Sequence, residues 1–172
     1  LHLLKDHCKK QFADLTEWQA HLEGLQIVNH RHIKIATEGA LIGSVLHHGL
    51  PKSLVIVSDD AGQFNILHHA LCWIHAERIL NKLIPPNEER RKILEDLRKQ
   101  VWDFYDDLKA YKISPNETKK IQLEDTFDAI FTQKTDYQML NLALSRLYEN
   151  KTELLLVLER PEIPLHNNLS EN

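Results

Sequence analysis

Leu94, Leu97, Val101, Phe104, Leu108 and Tyr111 follow one another at spacings of three and four within an otherwise charged stretch. Only an α-helix brings positions so spaced onto one face, so this stretch is a long helix with a single apolar seam that must be covered. "SPNE", residues 114–117, offers Ser as N-cap, Pro at the first helical position and Glu at the third, a capping box that opens a second helix. "TDYQ", residues 135–138, repeats that logic for a third. Residues 87–150 are therefore expected to form a helical block, with apolar contacts built around Leu97, Trp102, Phe104 and Phe127. Acidic and basic residues nearly balance over the block, which is the pattern of solvated faces and not of a DNA-binding stripe.

The region before the two prolines at 85 and 86 has a different character. A helical pattern surrounds Leu15, Trp18, Leu22 and Leu25, and "GLQIVNHRHIKI" suits a short extended stretch. "TEGALIGSVLHHGL" is expected to be a helix, with Thr37 as N-cap and Gly49 followed by Pro51 as its stop. "SLVIVS", residues 53–58, is an apolar β-branched run bounded by turn residues, as in a strand buried on both faces. "HALCWI", residues 69–74, fits either a second strand or the start of a helix running on through "HAERILNKLI". Such a succession defines an α/β layer. "RPEIPL", residues 160–165, is expected to be extended because of its prolines, and "HNNLSEN" to begin another helix. The division that follows is a connecting segment 1–36, an α/β part 37–86 (helix, strand, strand, helix), a helical insertion 87–158 and a final segment 159–172.

Composition narrows the class. A chain of 172 residues with 42% hydrophobic and 27% charged residues is long enough for one sizeable core. Its longest aliphatic run, "LLLVL", is too short to span a bilayer, and no signal peptide is recognisable, so no membrane partner is expected. Two cysteines far apart, Cys8 and Cys72, exclude a disulfide framework and suit a reducing cytoplasm. A net charge of -4 weighs against a free-standing nucleic-acid binder. The chain opens without methionine and ends without a closing element, and is expected to be a piece of a longer protein.

Asp59 and Asp60 stand where the "SLVIVS" strand emerges. Asp60 suits helix capping, with Gln63 as its capping-box partner. That role leaves Asp59 over, and a carboxylate fixed at the C-terminal end of a buried strand is a good ligand position for a divalent ion. Cys72 and His75 have C-x-x-H spacing, but zinc needs four ligands and Cys8 is the only other sulfur donor, which favours a buried thiol beside a hydrogen-bonded histidine. The pairs His47–His48 and His68–His69 fall on expected helix ends or surfaces. Glu171, after two asparagines, suits the first turn of a helix, where the dipole alone accounts for it. There is no G-x-S-x-G elbow and no glycine-rich phosphate loop.

Taken together and in order, "LVIVSDDAGQF", "ALCWIHAER" and "RPEIPLHNNLSEN" resemble the insertion-sequence transposases of the DDE type, over roughly residues 37–172. The resemblance implies an α/β, RNase H-like catalytic core, mostly helical overall, with a helical insertion. It assigns Asp59 as the second catalytic Asp at the end of the fourth strand, with Asp60 as the alternative, and Glu171 as the catalytic Glu. Cys72, His75 and Arg78 match the family's signature residues, and "HALCWI" becomes a strand. It further implies two Mg²⁺ ions about 4 Å apart, held by carboxylates including Asp59 and Glu171, that act in cleavage and strand transfer at transposon ends. DNA is the implied partner, with a homo-oligomer in the full-length protein.

The family's first catalytic Asp has no counterpart here, since Asp6 and Asp14 lie outside any strand-like run. The chain is thus expected not to cut DNA unaided, and "SLVIVS" to be left with an open sheet edge. Two other classes stay open: a different nuclease on the same fold, such as a resolvase, and a non-enzymatic helical interaction or DNA-binding remnant that uses the seam from Leu94 to Tyr111.

Overall fold

The computed structural model describes residues 11–49, 51, 53–60 and 68–167, and the chain divides into two compact units, Leu1–Lys52 and Ser53–Asn172.

In the first unit, α1 (Leu15–Gly24) begins at Asp14, whose carboxylate accepts from the Glu17 N–H at 2.9 Å. The Glu17 side chain reaches back to the Ala13 N–H at 2.6 Å, so cap and counter-cap satisfy one first-turn donor of the helix and one donor just ahead of it. Helix α2 (His30–His48) starts at Asn29, not at Thr37, because the Asn29 carboxamide already caps it by accepting from Arg31 N–H at 3.0 Å. Thr37 therefore lies mid-helix, where its hydroxyl accepts from the Trp18 indole at 2.8 Å and donates to the Ile33 carbonyl at 2.8 Å. The extended stretch expected over "GLQIVNHRHIKI" gives way for the same reason. Ile33 and Ala36, three residues apart, share a helical face in the small core of Trp18 and Leu22. Gly49 ends α2 at φ +139°, a region that favours glycine.

The second unit opens with β1 (Val55–Ser58) and β2 (His68–Leu71), a parallel pair in which Val55 faces His68 and Ser58 faces Leu71. The Cys72 N–H extends the ladder to the Ser58 carbonyl at 2.9 Å. Burial of β1 on both faces is not observed. Val55, Ile56 and Val57 are half-buried, because β2 is the only strand paired with β1 among the described residues. "HALCWI" divides between the two structures open to it: the strand stops at Leu71 and α3 (Trp73–Asn81) begins at Trp73. The reason is spacing, since Trp73, Ala76 and Leu80 fall on one helical face and are all buried.

Five helices follow: α4 (Glu88–Ile113), α5 (Glu117–Phe131), α6 (Gln138–Glu149), α7 (Lys151–Leu154) and α8 (Leu156–Glu159). The seam holds along α4, with Leu94, Leu97, Val101, Phe104, Leu108 and Tyr111 all buried. Trp102 is not part of this core: it is 36% exposed, because its position is rotated off the seam, and its ring meets Tyr105 instead. Asn116 replaces Ser114 as the cap of α5, accepting from Lys119 N–H at 2.8 Å, so Pro115 stays outside the helix. Thr135 accepts from Tyr137 N–H at 3.1 Å, but α6 starts only at Gln138 and has no side-chain cap.

These helices do not keep their apolar contacts to themselves. Trp73 of α3 lies among them, its ring centroid 5.4 Å from Phe104 and 6.3 Å from Phe127, and its indole donates to the Leu154 carbonyl at 3.0 Å. Glu77, one turn on, is buried and accepts from the Arg98 guanidinium at 2.6 Å. A charge this deep is tolerable only because its partner comes with it.

After α8 the chain turns at Arg160–Ile163, with the Ile163 N–H bonded to the Arg160 carbonyl at 3.0 Å, where an extended run was expected. Lys112 stabilises that turn by donating to the carbonyls of Pro161 and Ile163, and burial pushes its ammonium below the ordinary lysine range. The Leu165 carbonyl then accepts from the Trp73 N–H at 2.9 Å. Residues 160–165 are thereby returned to the junction between β2 and α3. No helix among the described residues is long and apolar enough to cross a membrane.

Candidate functional site

Two backbone hydrogen bonds organise the region where β1 ends. Cys72 N–H binds the Ser58 carbonyl, and the next residue, Trp73, binds Leu165. Strand end, helix start and returning C-terminal segment are therefore fastened side by side by the most rigid kind of contact available. Ser58 itself is buried. Its hydroxyl donates to the Asp59 carbonyl at 2.6 Å and lies 2.8 Å from the His69 Nε2. A serine hydroxyl has one proton, so His69 is the donor in that contact and carries its proton on Nε2.

Asp59 and Asp60 diverge from this anchored point. The Asp60 carboxylate is held by Arg146 of α6, which donates from Nη2 at 2.6 Å and from Nε at 3.2 Å. Asp59 is exposed, and its carboxylate has no hydrogen bond or ion pair among the described residues. Both line one cavity of about 320 Å³, together with Cys72, His75, Lys82 and Arg146. The capping partners expected for Asp60, at 62 and 63, lie outside the described residues. The observed partner of its carboxylate is Arg146.

Cys72 is buried, and its free thiol stands at the N-cap of α3 without making a side-chain cap bond. One turn on, the His75 Nε2 is 3.1 Å from the Arg78 guanidinium. Arginine only donates, so this nitrogen is the acceptor and the ring carries its proton on Nδ1. Cys72, His75 and Arg78 thus descend one side of α3, with His75 oriented by Arg78. Among the described residues no three His, Cys, Asp or Glu side chains gather in a way that could hold a metal ion. Cys8, Asp6 and Glu171 lie outside the described residues, and Asp14 is occupied as the cap of α1. His47 and His48 meet edge to face at the end of α2, with centroids 5.0 Å apart.

Three residues of this region carried no signal in the sequence. His69 belongs to a pair expected on a helix end or surface, yet it sits on β2, and only the register that sets it opposite Ile56 reveals its reach to Ser58. Arg146 and Lys82 are ordinary surface cations until the fold brings both to the cavity beside Asp59.

Residues 38–172 match the family described as "Transposase IS66 family", and the chain belongs to that family. It is also similar to the uncharacterized protein y4jO of Sinorhizobium fredii, at 42% identity over 171 residues, covering 98% of this chain and 53% of that protein. The chain therefore spans about half the length of this curated relative. No solved structure matches it.

Proposed function

We propose that this chain is part of the catalytic domain of a DNA transposase, with β1–β2 belonging to an RNase H-like core and α4–α8 forming its helical insertion. Asp59 is the strand-end ligand for a divalent cation, Mg²⁺ by its preference for hard oxygen donors. One observation carries the reading: of two adjacent strand-end aspartates, Asp60 is neutralised by Arg146 while Asp59, with no partner among the described residues, lines the same cavity. A carboxylate already tied to a guanidinium is a poor ligand, whereas an unpaired one fixed by a strand is ready to bind. The bond from Trp73 to Leu165 adds support, since it brings the segment leading to Glu171 beside the strand end.

Asp59 alone does not complete a metal site, and the described residues do not supply two more donors to it. Glu171 and the family's first Asp are the ligands implied by the resemblance. When bound, such an ion stabilises charge on the phosphoryl oxygens under attack. The part played by this chain is to hold Asp59 rigid, through Ser58 and the Cys72 bond, and, in the DNA-free protein, to keep Asp60 tied to Arg146 and away from the ion's position. Cys72 fastens the start of α3 to that strand end through its backbone N–H, and His75, held by Arg78, lines the same cavity. DNA at transposon ends is the substrate, and assembly with further copies belongs to the full-length protein.

The test is strand cleavage of transposon-end DNA by a longer IS66-family protein that contains this segment. Asp59→Asn and Glu171→Gln each abolish cleavage with DNA binding nearly intact, and Asp60→Asn reduces it far less. Loss of cleavage in Asp60→Asn together with activity in Asp59→Asn would reverse the assignment.

A further inference from the structure

We propose that Arg146, with Lys82 lining the same cavity, is a phosphate-binding position for the DNA strand at this site, and that Asp60 occupies its guanidinium until DNA arrives. The inference rests on the reading of the cavity as a DNA-processing site and adds to it the residue that grips the backbone.

Four observations lead there. The Arg146 guanidinium presents Nε and Nη2 to a single carboxylate oxygen of Asp60, at 3.2 and 2.6 Å. The fork of donors that holds a carboxylate suits a phosphodiester equally well. The pair is accessible, its side chains being 58% and 40% exposed for Arg146 and Asp60, so exchange of one anion for another needs no burial of charge. Lys82 lines the same cavity and makes no ion pair with the described residues, which leaves a second cation facing the space next to Asp59. Finally, Arg146 and Asp60 are 86 residues apart in sequence, and their bond joins α6 to the strand end.

Two accounts of this pair make opposite predictions. If Asp60 and Arg146 merely fasten α6 to β1, removing either side chain has the same effect. If Asp60 screens a phosphate-binding arginine, removing the carboxylate and removing the guanidinium shift DNA affinity in opposite directions.

The experiment measures binding of a fluorescein-labelled oligonucleotide duplex to the 172-residue chain by anisotropy, with chelator present and across a salt series. Arg146→Ala is expected to weaken binding severalfold and to lower the slope of log affinity against log salt by about 0.9, the loss of one phosphate contact. Asp60→Asn is expected to tighten binding severalfold. On the Arg146→Ala background the Asp60→Asn change is expected to do nothing, because its benefit passes through the arginine. Arg146→Lys, which keeps the charge but loses the fork, should retain the salt slope at reduced affinity. Equal tightening by Asp60→Asn with and without Arg146, an unchanged slope in Arg146→Ala, or no binding by the wild-type chain each overturns the proposal. The chelator removes any contribution of a metal at Asp59, so these outcomes leave the assignment of Asp59 to its own cleavage test.

Discussion

The helical interior of the second unit and the strand end beside it are built on opposite terms. In the interior, Trp73, Phe104, Phe127 and Leu140 are all but sealed from solvent, and Glu77, the one buried carboxylate among the described residues, has its arginine. At the strand end, Val55–Val57 are half-buried, both aspartates are exposed, and one of them has no partner among the described residues. Stability is concentrated in the first region and reactive charge in the second. Among the described residues, the Cys72–Ser58 bond and the Ser58–His69 contact tie the end of β1 to β2 and the start of α3. The Trp73–Leu165 bond ties that start to the returning segment, and Arg146 ties Asp60 to α6. The arrangement lets a carboxylate stay unsatisfied without endangering the fold.

That contrast can be broken by substitution. Phe127→Ala should cost most, about 3–5 kcal/mol in denaturant unfolding, since it empties space between Trp73, Phe104 and Phe131. Glu77→Ala should cost less, about 2 kcal/mol, because it strands the Arg98 guanidinium, which is partly exposed and so partly rescued by water. Tyr111→Phe removes the hydroxyl that donates to the Leu158 carbonyl at 2.8 Å and should cost about 1 kcal/mol. Asp60→Asn, at the strand end, should cost under about 1 kcal/mol, as expected for an exposed pair. A strand-end substitution as damaging to stability as Phe127→Ala would erase the distinction between the two regions.

The same contrast decides what was legible in the sequence. The α4 seam could be read because burial on one helical face imposes a period, and every seam residue is buried. Gly49 was legible because its positive φ excludes most other residues. Caps were less so: "SPNE" contains two competent capping residues, and only the Lys119 bond shows that Asn116 is the one used. Thr37 resembled a helix start but serves the Trp18 indole from inside α2. At the strand end, Asp59 stood out because the chain leaves a β-branched run there. Its neighbours could not be anticipated, since Arg146 and His69 reach the site through tertiary packing and strand register, which leave no local trace. Glu171 lies outside the described residues.

The central claim is that Asp59, and not Asp60, is the free ligand. Paramagnetic broadening of amide resonances by Mn²⁺, titrated into isotope-labelled chain, tests it directly, because even weak binding marks the residues nearest the ion. The account predicts broadening centred on Asp59, spreading to Ser58 and Cys72, retained in Asp60→Asn and lost in Asp59→Asn. Broadening that survives Asp59→Asn, or that disappears only in Asp60→Asn, would contradict it.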